Sequence, residues 1–324
     1  MEIESAHQVT DSHENGRRAQ RLRPGAEFDI IRRFQELWGP LAVDLGGDCA
    51  EVSLGKGLRL LTSTDVSVEG VHFRADWLTP REIAYRACVA ALSDLAAVAA
   101  EPLGLMLALT LPERWRTHAD DLANGVGDAV LDSGAPVLGG DLSMGRDLAL
   151  AVTVYGESAS PLRRSGARPG DLLYVTGRLG GPAAAVTAWL SGRTPALAHR
   201  HSFAAPRPRL REARWLRRSG ATASVDISDG LAADARNLAS ASGVEIWLDL
   251  DAVPCMMGVT PLDAVASGEE YELLVAAPPD LDHVGFERRF GIPLTVVGRV
   301  DGWHEKGVVG ARVDLPGGYD HYSG

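Results

Sequence analysis

The chain has 324 residues, of which 45% are hydrophobic and 23% charged, a composition typical of a soluble protein with room for two domains. Its formal net charge is −11, which argues against nonspecific nucleic-acid binding because a phosphate backbone needs a basic face. The three cysteines, Cys49, Cys88 and Cys255, form no CxxC pair, so we expect a reduced, cytoplasmic protein. The longest apolar stretch, Leu103 to Leu111, is about half of a membrane span, and we expect no membrane segment.

The residue pattern predicts a mixed α/β protein with two domains that follow a flexible N-terminal arm over residues 1–25. The first domain, residues 26–160, begins with an amphipathic helix and does not form a run of βαβ units. Its predicted elements are helix Glu27–Trp38, strands Leu41–Leu45, Glu51–Leu54 and Leu58–Thr62, helix Pro80–Ala99, strand Leu103–Leu111, helix His118–Ser133, and strands Pro136–Leu138 and Leu148–Gly156.

A polar stretch over Ser158–Gly170 contains proline and glycine and predicts the junction to the second domain, residues 161–324. Helices and strands alternate through this half. Its predicted elements are strand Leu172–Thr176, a helix after Pro182, helix Pro208–Arg218, strand Ser224–Ile227, helix Leu231–Ser242, strands Val244–Leu250 and Tyr271–Ala276, helix Leu281–Phe290, and strands Leu294–Val300 and Gly310–Leu315.

Five aspartate motifs organise the chain, each at or near the end of an apolar run. They are Gly46-Gly47-Asp48-Cys49, Ser63-Thr64-Asp65, Leu92-Ser93-Asp94, Gly139-Gly140-Asp141 and Asp226-Ile227-Ser228-Asp229-Gly230. Any one of them is a common turn or helix-cap sequence. Asp94 differs, because it lies inside the apolar segment Ile83–Ala100, where no turn explains a charge. Converging carboxylates need cations among them, and hard oxygen ligands suit Mg²⁺, so the motifs predict a phosphate-handling metal site.

Other catalytic motifs are missing from the sequence, which contains no GxxxxGK[ST] loop, no GxGxxG loop that opens a helix and no GxSxG elbow. His72 follows Asp65 closely enough to reach the same site, although a lone histidine is more often structural. Arg164 falls at the domain junction, where its guanidinium either holds a phosphate or solvates a linker. The segment Ser267–Leu274 places three carboxylates at a strand entrance, more than a turn needs.

Taken in order, the motifs resemble those of the thiamine-monophosphate kinases, members of the aminoimidazole-ribonucleotide-synthetase-like superfamily. The resemblance runs from about Phe28 to His321, and its specificity comes from many weak motifs in one order. These motifs are GDC, STD, EGVHF, LSDLAA, GGD, RSGARPGD, DISDGLAAD, GEEYELL and the terminal Gly318-Tyr319-Asp320-His321.

The resemblance implies a two-domain α/β fold in which the N-terminal domains of two copies build a shared barrel-like sheet across a homodimer. It also implies that the protein phosphorylates thiamine monophosphate to thiamine diphosphate, with ATP as co-substrate and several Mg²⁺ ions as cofactors. Direct transfer to an acceptor phosphate that is already ionised needs no general base. This fits a chain with many carboxylates and few candidate bases.

Carried onto the matching positions, the resemblance implies a role for each motif. The implied metal ligands are Asp48, Ser63, Thr64, Asp65, Asp94, Asp141, Asp226 and Asp229. Three of them, Asp65, Asp94 and Asp229, are also the implied catalytic residues. The implied nucleotide contacts are Gly140, Asp141, Arg164 and Ser228. The implied substrate contacts are His72, Glu269 and Tyr319.

The chain departs from the family pattern at four places. Gly47 replaces the first of two adjacent acids, Leu142-Ser143-Met144 replaces the residues after the GGD, and Ser267 and Glu270 replace a glycine and an aspartate. Two alternatives therefore stay open. One is another ATP-using member of the superfamily, such as the aminoimidazole ribonucleotide or selenophosphate synthetase. The other is a noncatalytic nucleotide-binding relative.

Overall fold

The computed structural model describes residues 47–55, 57–302 and 308–310, together with five helical positions between residues 29 and 37. The predicted arm and the predicted strand Leu41–Leu45 lie outside the described residues. The predicted helix Glu27–Trp38 is described only at those five positions. No helix in the described part of the chain is both long enough and apolar enough to cross a lipid bilayer.

The first half of the chain forms a five-stranded sheet. Its strands pair in the order β1-β2-β5-β3-β4, and only β3 and β4 run parallel. The elements are β1 (Ala50–Ser53), β2 (Arg59–Val68), α1 (Pro80–Ala97), β3 (Glu101–Thr110), a 3₁₀ turn (Glu113–His118), α2 (Ala119–Ser133), β4 (Val137–Ser143) and β5 (Ala149–Ser158).

The second half forms a six-stranded sheet in the order β11-β8-β10-β6-β9-β7, in which only β11 and β8 run parallel. One of its faces joins the core of the first half, and the other face packs on α6 and α7. The elements are β6 (Leu172–Thr176), α3 (Gly181–Leu190), α4 (Leu197–Ala204), α5 (Leu210–Arg218), β7 (Ala223–Asp226), α6 (Leu231–Ser242), β8 (Glu245–Leu248), α7 (Pro261–Ala266), β9 (Leu273–Ala277), α8 (His283–Phe290), β10 (Leu294–Asp301) and β11 (Val308–Gly310).

Strand β5 shows how the first sheet divides its two faces. Its residues alternate strictly between half-buried and buried, and Leu150 and Val152 lie in the core beneath α1. The strand pairing places Val66 and Met106 on the opposite face, where both remain exposed. The helices of the first half therefore cover one face of this sheet.

Helix α1 connects the two halves. Thr79 and Glu82 form a capping box at its start: the Thr79 hydroxyl accepts from the Glu82 N–H at 3.3 Å, and the Glu82 carboxylate accepts from the Thr79 N–H at 2.9 Å. The helix is buried on nearly all sides, because it packs on the first sheet and also against α5 and β7 of the second half. Because α1 lies between the two halves, its side chains can meet residues of both.

Most predicted elements match the structure within a few residues, and β6 and α6 have the predicted bounds. The sequence does not predict α4 and α7, because each is too short for a helical period to show. Strand β4 runs to Ser143 and places Gly139–Asp141 inside a strand, since pairing with β3 overrides the weak strand preference of glycine. Asp65 also lies within its strand and not at its end.

The hydrophobic core that contains Leu95 includes residues from both halves of the chain, and its packing can be tested by mutation. Leu95 has no exposed surface, so its replacement by alanine leaves a cavity and should lower the free energy of unfolding by about 2–5 kcal/mol. Leu131→Ala removes the same atoms from a side chain that is 84% exposed and should change it by less than about 0.5 kcal/mol. Denaturant unfolding followed by circular dichroism measures both variants. Equal effects would contradict this core.

Candidate active site

Three aspartates from distant parts of the chain meet where the two halves join. Asp48 precedes β1, Asp94 lies in the last turn of α1, and Asp226 ends β7. One carboxylate oxygen from each lies within 4.8 Å of the other two. Ser93 donates its hydroxyl to Asp226 and so links α1 to β7. Carboxylates this close together repel one another strongly when water is excluded.

One guanidinium and two hydroxyls, those of Ser63 and Ser93, offset part of the repulsion. The Nε of Arg164 lies 3.0 Å from each oxygen of Asp48, and its Nη2 also contacts that carboxylate. Ser63 donates its hydroxyl to Asp94 at 2.5 Å. Burial opposes the charge of Arg164, but the attraction of Asp48 outweighs it and raises the pKa of the guanidinium. A single positive charge cannot neutralise three carboxylates.

Two carboxyl groups of the centre, those of Asp94 and Asp226, therefore hold their protons unusually tightly. Burial raises the pKa of Asp94 well above its ordinary value, and repulsion from Asp65, Asp226 and Asp48 raises it further. Burial, followed by repulsion from Asp48, raises the pKa of Asp226 to about 7. Burial also raises the pKa of Asp65. A cation that replaced these protons would relieve the repulsion, and a set of carboxylate oxygens fits a hard divalent ion such as Mg²⁺.

Asp94 and Asp226 of the carboxylate centre line one end of a cavity of about 820 Å³ between the two halves. Arg86, Ala90 and Asp94 line this cavity from successive turns of α1, and Arg86 and Asp94 are about 12 Å apart along the axis at about 1.5 Å per residue. Around the N-terminal part of α1 the wall is mainly apolar and aromatic, although Arg74, Arg86 and Glu269 also line the cavity. Its apolar and aromatic members are Phe73, Trp77, Val186, Leu190, Phe203 and Tyr271. The cavity is thus acidic at one end and apolar at the other.

The loop after β7 contributes Ser228 and Asp229 to the cavity wall. The backbone N–H groups of both residues donate to one carboxylate oxygen of Asp234, each at 3.1 Å. Asp234 lies in the first turn of α6 and is almost fully buried. Burial raises its pKa, and repulsion from Asp229 and Asp226 adds to the effect. Asp234 therefore positions the loop, a role that the sequence indicates only through an acid at the start of a helix.

The segment before β9 is held in a strained conformation at the cavity. Glu269 and Tyr271 have φ angles of 58° and 53°, in the left-handed region that costs a non-glycine residue free energy. The N–H of Glu269 donates to the carbonyl of Ser228 at 2.7 Å. A Cβ at Gly268 would lie 2.6 Å from the same carbonyl oxygen, so only glycine allows the two loops to approach this closely.

Arg86 is a buried cation at this wall that the sequence interpretation missed. Its Nη2 lies 2.5 Å from a carboxylate oxygen of Glu269, and its Nη1 donates to the carbonyl of Phe203 at 3.1 Å. Its guanidinium also lies 4.0 Å from the centre of the Phe203 ring. These contacts fix the orientation of Glu269. The only signal in the sequence is a charged residue on the apolar helix that also carries Asp94.

The three carboxylates predicted at the strand entrance have different surroundings. Only Glu269 lines the cavity. Glu270 accepts the N–H of Gly180 at 2.6 Å, and burial raises its pKa to about 8. Glu272 is buried against Arg209, with 2.8 Å between Nε and the carboxylate. Glu270 and Glu272 therefore support the wall from behind.

His72 also lines the cavity, near Asp65 as predicted from the sequence. Its Nδ1 accepts the backbone N–H of Val68 at 3.1 Å. When the imidazole is neutral, Nε2 is then the nitrogen that carries the proton.

Eight of the fourteen predicted site residues line the cavity, and Asp48 and Ser63 contact two of these, Arg164 and Asp94. Three others lie elsewhere. Thr64 points to the other face of β2, where its hydroxyl is 2.8 Å from that of Thr153. Gly140 and Asp141 lie on the exposed edge strand β4, and the register places Asp141 on the face opposite Asp65. Their roles stay predictions. Tyr319 lies outside the described residues.

Two family models match the chain. The N-terminal domain of AIR synthase related proteins matches residues 46–158, and the C-terminal domain of the same proteins matches residues 168–310. The chain is therefore an AIR synthase related protein in both of its halves.

Comparison with individual proteins identifies the family within this class. The chain is 33% identical to the thiamine-monophosphate kinase of Salmonella typhimurium, over 92% of this chain and 98% of that protein. It is 36% identical to the thiamine-monophosphate kinase of Methanopyrus kandleri, over 86% of this chain and 90% of that protein. The chain belongs to the thiamine-monophosphate kinase family, and the resemblance in its motifs is confirmed.

Solved structures agree with this assignment. The complex of AaThiL with AMPPCP, an ATP analogue, and TMP superimposes with a TM-score of 0.81 at 29% identity, covering 93% of this chain and 99% of that one. The thiamine-monophosphate kinase of Stenotrophomonas maltophilia gives a TM-score of 0.72 at 29% identity, over 88% of this chain and 96% of that one.

The raised pKa of Asp226 predicts how stability depends on pH. The unfolded chain releases this proton near pH 3.9, whereas the folded protein holds it up to about pH 7, so metal-free protein should lose stability as pH rises between these values. Asp226→Asn removes this titration. In chelator, the melting temperature of the variant minus that of the wild type should increase from pH 5 to pH 8. A difference that does not vary with pH would contradict the assignment.

Proposed function

We propose that the protein transfers the γ-phosphoryl group of ATP to the phosphate of thiamine monophosphate and so forms thiamine diphosphate. The observation that carries this proposal is the convergence of Asp48, Asp94 and Asp226 at the acidic end of a cavity whose other end is apolar. A triphosphate and an acceptor phosphate suit the acidic end once cations are present. A cationic heterocycle suits an aromatic wall. The similar fold of a protein complexed with AMPPCP and TMP supports the same pair of ligands.

Mg²⁺ would be held by Asp48, Asp94 and Asp226, with Asp65 and Asp229 lining the same cavity. When bound, it would neutralise phosphate charge and polarise the transferred group. Arg164 adds a fixed positive charge beside Asp48. The proposed metal and nucleotide roles of Thr64, Gly140 and Asp141 require them to act from the far face or the edge of the sheet. That is where we place the partner subunit.

The residues of the chain position substrates and do not supply a base, since the acceptor oxygen is ionised at neutral pH. The N–H groups of Ser228 and Asp229 are tied to Asp234, which fixes this loop beside the carboxylate centre. We assign His72 and Glu269 to the substrate because both line the cavity. Arg86 holds Glu269 in place. Tyr319 is proposed as a further substrate contact on the motif alone.

The direct test measures ATP consumption and thiamine diphosphate formation with purified protein and Mg²⁺. The proposal predicts ATP turnover that depends on thiamine monophosphate, with one thiamine diphosphate formed for each ATP consumed. ATP consumption only with another acceptor would indicate another AIR synthase related activity. Nucleotide binding without turnover would indicate a noncatalytic relative.

Substitution of the central carboxylates should abolish turnover without unfolding the protein. Asp94→Asn and Asp65→Asn each remove a charge from the proposed Mg²⁺ cage, so we expect a fall of at least about 100-fold in kcat, equivalent to about 2.7 kcal/mol. Asp121→Asn, an exposed acid on α2, is the control and should keep full activity. Full activity in folded Asp94→Asn would contradict the proposed metal centre.

Neighbouring arginines at the junction provide a matched pair. Arg164 lines the cavity and contacts Asp48, whereas Arg163 is half exposed and pairs with Glu51. We expect Arg164→Ala to raise the KM for ATP or to lower kcat by about tenfold or more, and Arg163→Ala to have little effect. Steady-state kinetics measures both. Equal small effects would mean that both arginines serve only the linker.

We propose that the protein is a homodimer and that its interface is the uncovered face of the first sheet. Val66 and Met106 are exposed there, and Tyr155 lies on the same face. Apolar residues on this face need a cover, and the sheet of a second copy supplies one. The three cysteines are free thiols, which fits the proposed cytoplasmic location.

Light scattering tests the dimer, which should have twice the chain mass of 34.4 kDa. Met106→Arg places a charge on the proposed interface and should give a monomer at micromolar concentration. Leu131→Arg, on the exposed side of α2, should leave the dimer intact. A wild-type monomer that is fully active at micromolar concentration would contradict the proposed interface.

A further inference from the structure

A second concavity, of about 260 Å³, shares no lining residue with the catalytic cavity. It lies where the start of β3 meets α5 and the end of α8, so both halves of the chain contribute to it. The residues that line it are Glu101, Arg211, Arg214, Arg218, Arg289 and Phe290. We call its four arginines the arginine cluster.

The spacing of the cluster on α5 places its charges on one side of the helix. Arg211, Arg214 and Arg218 are three and four residues apart, so adjacent members face one another. Like charges at these spacings destabilise a helix. Arg211 also lies in the first turn, where the helix dipole disfavours a cation. The fold therefore places like charges side by side at this surface, where Arg211 and Arg218 are exposed to solvent.

The described residues that line the concavity do not neutralise the cluster, although Glu212 beside it interacts with the charge of Arg211. Arg214 forms an ion pair with Glu101, and in that part of the chain no carboxylate lies within ion-pair distance of Arg211, Arg218 or Arg289. Four guanidinium groups less one carboxylate leave a charge of about +3, in a chain whose net charge is −11. Burial lowers the pKa of Arg214, and the charge of Arg218 lowers it further.

Helix termini account for part of this arrangement only. Arg218 and Arg289 each lie in the last turn of their helices, where the dipole favours a cation. That effect stabilises each residue separately. It does not explain Arg211, and it does not explain why arginines from two helices converge on one concavity.

The size and lining of the concavity define its ligand. Its volume is below the roughly 300–1,000 Å³ of clefts for drug-sized molecules. The lining is dominated by guanidinium groups, whose planar forks bind phosphate oxygens in pairs. We propose that the arginine cluster binds a compact multivalent oxyanion of the phosphate or pyrophosphate class, at a site separate from the catalytic cavity.

The test titrates inorganic pyrophosphate into full-length protein by calorimetry, in a zwitterionic buffer at low chloride. Metal is first removed on a chelating resin, so that the carboxylate centre carries no cation and repels the anion. The double variant Arg218→Gln/Arg289→Gln removes two charges from the cluster. The control Arg193→Gln/Arg288→Gln removes two charges from exposed positions that do not line the concavity.

The wild type and the control should bind pyrophosphate with the same affinity, and the cluster variant should bind at least about tenfold more weakly. Raising the chloride concentration should weaken binding to the wild type. Equal weakening in both double variants would overturn the proposal, because net charge would then explain it. The absence of saturable wild-type binding up to about 10 mM would also overturn it. If the cluster variant does not fold, Arg211→Gln is measured instead and should bind about threefold more weakly or worse.

Discussion

The main physical constraint on the site is the repulsion among carboxylates that the fold brings together where its two halves meet. Asp48, Asp94 and Asp226 come from three distant segments, and among the described residues one guanidinium, that of Arg164, lies against them. Taking charges out of water is costly unless they are paired, so the apoprotein keeps some of these groups protonated. A bound cation would replace these protons and relieve the repulsion.

Helix α1 connects the carboxylate centre to the rest of the cavity. The same stripe of the helix carries Asp94 at the acidic end and Arg86 near the aromatic wall. Because the helix is rigid and buried on nearly all sides, the spacing between the two ends is fixed by the fold. The Ser228–Asp229 loop and the strained segment at Glu269 are each held by hydrogen bonds to buried partners. The site is therefore organised before any substrate binds.

The elements that the sequence predicts best are those with local signals. Helix α6 begins after glycine and ends before Gly243, and its bounds follow directly from these signals. The charge of Asp94 inside an apolar segment is the local observation that identified the centre. What the sequence could not provide is long-range contact. The contact of Arg164 with Asp48, the support of the loop by Asp234 and the contact of Arg86 with Glu269 all depend on packing. The prediction that Asp141 follows the end of a strand was wrong for a related reason. The pairing of β4 with β3 continues the strand through the two glycines and past Asp141.

The most direct test of the carboxylate centre counts protons released when Mg²⁺ binds to metal-free protein without nucleotide. Calorimetry in buffers of different ionisation enthalpy gives this number. Because the pKa values of Asp94 and Asp226 are raised, binding at pH 6 should release about one proton or more per chain, and the contribution of Asp226 to this release should fall as pH rises past about 7. Tight Mg²⁺ binding at pH 6 with no proton release, or no Mg²⁺ binding at any pH, would contradict a protonated carboxylate centre that exchanges its protons for metal.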